Sequence, residues 1–150
     1  MPWSTRFATQ KLEKFFDDAE DIATDRALGY YTEAVEDVAE WWSRSISASG
    51  RAPGHGMENI DGRVTQPRKG GFFFRLGWLN HPPVAKDGKT SWFVYQDVGY
   101  DPFGMIAKGY AATPVPGLLL QLEARRRLQE GVRDANDRIV REIQNAARRI

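Results

Sequence analysis

The sequence predicts an α+β domain with a helical N-terminal half, a small antiparallel β-sheet built on an aromatic hairpin, and a long C-terminal helix. Three observations predict it. Apolar residues recur at three- and four-residue spacing up to residue 49 and again over 117–150, the mark of amphipathic helices. Between those stretches, residues 71–80 and 91–100 alternate at period two, with Phe72, Phe74, Leu76 and Trp78 on one face and Trp92, Val94, Val98 and Tyr100 on another. Aromatic and β-branched residues in that alternation suit a half-buried strand. The intervening stretches 50–70 and 101–116 are punctuated by glycine and proline and show no period.

A chain of 150 residues is the size of one domain. It divides as 1–49 helical, 50–70 a long mobile loop, 71–100 the hairpin, 101–116 an extended arm and 117–150 the last helix. The first helix is expected over residues 9–23, with Leu12, Phe15, Phe16, Ala19 and Ile22 as its stripe. A second begins near Thr24 or Asp25, either a suitable cap, and carries Leu28, Tyr31, Val35, Val38, Trp42 and Ile46. Gly29 weakens it, and the two segments read equally well as one long bent helix. In the hairpin connection, Asp87-Gly88 is a turn signal. The hairpin is the expected platform for the helices. The arm carries Phe103, Met105, Ile106 and Tyr110, apolar residues on an irregular segment that call for a covering surface, in the chain's own core or in a neighbouring subunit. Pro116-Gly117 opens the last helix, since proline suits a first turn. Its stripe runs Leu118, Leu122, Leu128, Val132, Ala135, Ile139, Ile143, Ala146 and Ile150.

With 41% hydrophobic and 27% charged residues, the composition is that of an ordinary globular protein. The net charge of +1 gives no global pull toward nucleic acid. The charge is nevertheless uneven. Residues 1–40 hold ten acids against four bases, and residues 121–150 hold eight arginines against five acids. The loop carries Arg51, Arg63, Arg68 and Lys69, placed to touch a partner or DNA. Arg125, Arg126 and Arg127 form a second basic cluster, with Glu123 and Glu130 at helical spacing as intrachain partners. No apolar run is long enough to cross a membrane, and the N-terminus lacks the apolar core of a signal peptide, so synthesis is expected in the cytoplasm.

The chemistry on offer is thin. There is no cysteine, hence no thiol nucleophile and no thiolate metal site. The two histidines, His55 and His81, sit in Pro/Gly-rich stretches, and His55 with Glu58 and Asp61 matches no zinc spacing. Neither a phosphate-binding loop nor a Gly-x-Ser-x-Gly elbow is present. The acidic cluster Asp17, Asp18, Glu20, Asp21 and Asp25 reads as a solvated helix face. Aromatics interleaved with bases would suggest stacking on single-stranded nucleic acid, but only Arg75 interrupts the aromatic run, which favours core packing. A non-enzymatic role without cofactor or metal, in oligomerisation or docking, is the expectation.

The order of a helical N-terminal half, a loop, a strand closing at Gly77-Trp78-Leu79, Tyr95-Gln96-Asp97-Val98-Gly99-Tyr100, a Pro/Gly arm and a helix opening at Val115-Pro116-Gly117-Leu118 resembles the head–tail joining proteins of long-tailed phages, also called neck or tail completion proteins. Asp97, Val98 and Gly99 match that family's acidic–apolar–glycine pattern, with aspartate where glutamate is commoner. Ile60-Asp61-Gly62-Arg63-Val64 is a loose counterpart of its loop motif and lacks the threonine. The resemblance spans roughly residues 24–145. It implies a structural virion protein, made in the host cytoplasm, that forms a homo-oligomeric ring, commonly a hexamer, between the head connector or stopper and the tail terminator or tail tube. Genomic DNA would pass through the channel. In such a ring the arm would lie on the neighbour's sheet, with Phe103, Met105, Ile106 and Tyr110 as interface residues. Arg125, Arg126 and Arg127 would face the neighbour's acidic N-terminal half, and Arg51, Arg63, Arg68 and Lys69 would face the channel or the next ring. A tail terminator or minor tail protein is the alternative of the same class. A small nucleic-acid-binding module is the alternative of another class, and a small hydrolase using His55 or His81 is the remaining one.

Overall fold

A computed structural model describes residues 2–49, 59–66, 71–79, 99–100, 115–116 and 119–150. The expected α+β architecture is present, in the order α1 (Pro2–Asp21), a π turn (Ile22–Arg26), α2 (Ala27–Ala48), β1 (Asp61–Thr65), β2 (Phe73–Gly77), β3 (Gly99–Tyr100), β4 (Val115–Pro116) and α3 (Leu120–Ala147).

α1 and α2 form one continuous rod. No capped break occurs near Thr24, whose hydroxyl instead donates 2.7 Å back to the Glu20 carbonyl inside the helix. The junction is a π turn, closed by the Ala27 N–H on the Ile22 carbonyl, five residues back. That wider turn brings residues five apart onto one side. Ile22 and Ala27 are both buried, in one cluster with Ile139. In an unbroken α-helix they would diverge, so the turn keeps both helices facing α3. The helix also runs through Gly29 without interruption, because that position faces solvent.

α2 is the central element, rather than the hairpin. α3 lies antiparallel along one side of it, with Gly131 against Ala34 at the closest point. A Cβ on Gly131 would stand 3.3 Å from the Ala34 Cβ. On another side sits a two-stranded antiparallel sheet pairing β1 with β2, in the register Asp61↔Gly77, Arg63↔Arg75 and Thr65↔Phe73. Gly62 lies directly on Val35, which is fully buried; a Cβ there would overlap Val35 Cγ1 and come within 3.0 Å of its carbonyl oxygen.

The expected alternation on β2 is present. Phe72, Phe74, Leu76 and Trp78 turn toward the helices, and Phe73 turns out, 64% exposed. The rings of Phe72 and Phe74 meet Tyr31 edge-on at 4.8 and 5.3 Å, and Trp78 meets Trp42 at 5.6 Å. The partner of β2 differs from the expectation. It is β1, inside the stretch 50–70 read as structureless. That stretch hid a strand because only Met57, Ile60 and Val64 carry large apolar side chains there, and a glycine takes the inward position where a large side chain would have signalled a strand. Of the expected second strand, residues 91–98 lie outside the described residues, and its last two, Gly99 and Tyr100, pair with Pro116 and Val115.

Among the described residues, two clusters form the core. Val38, Ala39, Trp42, Ile46, Ile60 and Ala124 gather where α2, the hairpin and the start of α3 meet. Ile22, Ala27 and Ile139 gather at the π turn, with Tyr30, Tyr31, Phe72, Ile143 and Ala146 around them. α3 starts three residues later than expected, at Leu120. Val115 and Pro116 belong to β4, and Leu119 takes a left-handed conformation at φ 53° before the first turn.

Candidate assembly surface

The long helices pin each other through polar contacts along their seam. Glu142 on α3 accepts from Arg26 at 3.0 Å and from the Tyr30 hydroxyl. Hydrogen bonding to Tyr30, and then to Arg26, holds the Glu142 carboxyl below its ordinary range despite partial burial. The same bond raises Tyr30, whose phenol resists ionising beside a carboxylate. Arg138 stacks over the Tyr30 ring at 4.1 Å and reaches Glu33 at 3.3 Å. Tyr31 bonds Asn136, and burial pushes its hydroxyl up. None of these pairs was legible in the sequence, because their partners are more than a hundred residues apart.

Of the basic cluster on α3, two members are used within the chain. Arg126 bonds Glu123 at 2.6 Å and also pairs with Glu130, while Arg127 meets Glu123 at 3.0 Å and stacks over Trp41 at 4.3 Å. Arg126, and then Arg127, hold Glu123 down at about 2. Arg125 points to solvent without an ion pair among the described residues, leaving it available to a partner. Arg63 is exposed on β1. The remaining expected contacts, Phe103, Met105, Ile106, Tyr110, Arg51, Arg68 and Lys69, lie outside the described residues, as do His55 and His81.

A surface the sequence reading missed is on α1. Phe15 and Ala19 are half-buried and Ile22 is buried, as expected. Leu12 and Phe16, assigned to the same buried stripe, are 45% and 63% exposed, and Phe7 is 62% exposed. α3 covers only part of the apolar arc of α1: it runs along one side, from Ile22 to Lys11, whose ammonium donates 3.0 Å to the Ile150 carbonyl, and leaves Leu12 and Phe16 turned away. Phe7 lies beyond that contact. At the other end of α3, Leu122 is 70% exposed. The readable signal was the adjacent pair Phe15 and Phe16: neighbouring residues point about 100° apart on a helix, so both do not face one partner helix squarely.

Shallow grooves run between α2 and α3 on either side of the Gly131–Ala34 contact. The larger, about 240 Å³, is lined by Ala34, Asp37, Trp41, Arg127, Gly131 and Asp134. Among the described residues no group of three His, Cys, Asp or Glu side chains stands close enough to hold a metal ion, and no helix is long and apolar enough to cross a membrane. Comparison with known proteins returns no matching family model, curated protein or solved structure.

Proposed function

We propose that this chain is a structural subunit that acts by assembling with further copies of itself. In the reading its sequence resemblance favours, it is a head–tail joining subunit of a long-tailed phage, set as a ring between head connector and tail. A tail terminator or minor tail protein is the same proposal at another position in the particle. The observation that carries assembly is the uncovered apolar face of α1. Leu12 and Phe16, four residues apart on one side of α1, expose large side chains that one copy leaves in water. Burying a side chain of that size is worth about 1.5–3 kcal/mol, and clustered exposed apolar residues mark interaction surfaces. The occupant is a second copy. The acidic flank of α1, with Asp17, Asp18 and Glu20, complements Arg125 and the exposed Arg133, Arg141, Arg148 and Arg149 of α3. One such contact between unlike surfaces, repeated around an axis, closes a ring.

The test is the mass of the purified chain in solution, alone and with isolated phage tails or connectors. Wild type is expected to assemble in at least one condition. Leu12→Ser with Phe16→Ser is expected to remain a monomer with an unchanged helical circular dichroism spectrum. A wild-type chain that is monomeric in every condition, or a double variant that assembles as wild type does, refutes the proposal.

A further inference from the structure

A second uncovered apolar pair stands at the start of α3. Leu119, just before the first turn, is 58% exposed, and Leu122, within that turn, is 70% exposed. Arg125, a turn further on, is exposed beside them, whereas its neighbours Arg126 and Arg127 are held by Glu123. Leu119 also carries a backbone cost. It holds φ 53°, in the left-handed region where glycine or asparagine sits with less strain. A strained backbone under an exposed apolar side chain points to a contact outside the chain. The apolar pair of α1 has the opposite sign around it. Glu13 and Glu20, three residues before and four after Phe16, are both exposed. That part of α1 lies at the far end of α3, where Phe15 lines one groove with Ala146 and Ile150. From Leu122 to Ala146 the axis of α3 runs about 36 Å, at ~1.5 Å per residue, so the two pairs do not meet within one chain.

We propose that these two pairs are the halves of one contact between copies. Leu12 and Phe16 of one copy pack on Leu119 and Leu122 of the next, and the acids beside Phe16 reach Arg125. The proposal rests on the assembly reading above and specifies where the second copy carries its matching surface. Each half supplies apolar area that a single copy leaves in water. Contact between like halves would join surfaces of one sign, whereas contact between unlike halves joins opposite signs, which selects the pairing and its orientation. The halves differ and lie at opposite ends of α3, so the contact runs head to tail. Every copy then offers one half to each neighbour, and the series ends only where it closes.

The experiment is complementation, read as particle mass in the condition in which wild type assembles. Leu12→Ser with Phe16→Ser removes one half, and Leu119→Asn with Leu122→Gln removes the other. Asparagine suits the left-handed backbone and glutamine keeps the helix propensity of leucine. The second variant, diluted to monomer, should therefore melt at or above the wild-type temperature. Each variant alone is expected to be monomeric. Mixed in equal amounts they should form one-to-one dimers and nothing larger, because each dimer contains one intact contact and leaves no intact half free. Leu119→Asn alone should raise the dissociation constant about tenfold or more, the loss of one buried leucine. If the α1 variant is monomeric but the α3 variant assembles as wild type does, this pairing is overturned and assembly through α1 still stands. A mixture that stays monomeric, or that grows past dimers, overturns the pairing too. So does a lower melting temperature of the diluted α3 variant, which would show that one copy already covers both leucines. A wild type that is monomeric in every condition overturns the assembly reading and the pairing together.

Discussion

Gly62→Ala should destabilise the protein by about 2 kcal/mol, against the usual direction of a glycine-to-alanine change in a strand. A strand glycine generally costs roughly 0.5–1 kcal/mol relative to alanine. At Gly62 that gain is outweighed. The new methyl would overlap Val35 Cγ1 and sit 3.0 Å from the Val35 carbonyl oxygen, where ordinary carbon contacts begin near ~3.5 Å. Val35 is fully buried at the middle of α2, so it has no room to retreat, and β1 must lift instead. Overpacking of this kind costs about 1–3 kcal/mol. Val35→Ala alone removes two methyl groups and should cost about 2 kcal/mol at ~0.8 per methyl plus a small cavity. Combined, the two changes should be less harmful than their sum by about 1 kcal/mol. The offending Cγ1 is then gone, but the backbone oxygen remains. Urea denaturation of the four proteins measures the cycle, and the single Gly62→Ala change should lower Tm by about 4–8 °C at ~2–4 °C per kcal/mol. A Gly62→Ala protein as stable as wild type, or strictly additive effects, would refute the packing of β1 on α2.

Two further predictions concern charge. Glu123 and Glu142 have carboxyls held below their ordinary range, Glu123 at about 2, so their contribution is complete above pH 4.5 and is lost as pH falls toward 2. Stability followed by circular dichroism should decline across that window, and Glu123→Gln with Glu142→Gln should flatten the decline; an unchanged slope would refute it. On α3, Arg125→Glu should weaken assembly and leave monomer stability within about 0.5 kcal/mol, whereas Arg126→Glu should also loosen the start of α3 by facing Glu123 and Glu130 with a third acid. Equal effects of the two on monomer stability would refute the division of labour between neighbouring arginines.

The helices were legible because Val35, Val38, Trp42 and Ile46 on α2, and Ala135 and Ile139 on α3, repeat at helical spacing and are buried as that spacing requires. The alternation of Phe72, Phe74 and Leu76 likewise revealed β2. The partner of β2 was hidden, because a strand chosen for closeness to a helix backbone spends its inward position on Gly62 and gives no hydrophobic signal. Pro116 misled for a related reason. Proline suits a helix start, but it also suits a strand that needs no amide donor there, and only pairing with Gly99 decides between them. On the candidate surfaces, the pairs of Arg127 with Glu123 and of Arg126 with Glu130 followed from local spacing. The exposure of Phe16 and the opposition of Arg63 and Arg75 did not, since one depends on which side of α1 the helix α3 lies along and the other on a strand register.

The central position of α2 also sets a timetable. Trp42 and Ile46 are synthesised about 80 residues before Ala124, the buried side chain of α3 that packs in their cluster. At ~5–20 residues per second, the ribosome leaves that side of α2 uncovered for roughly 4–16 s. The hairpin arrives in the interval and shelters one flank, bringing Trp78 onto Trp42. The other flank waits for the last helix to emerge. A nascent chain of this protein therefore passes through a stage in which a finished helix shows water the face it was built to hide, and a chaperone is most useful to it then.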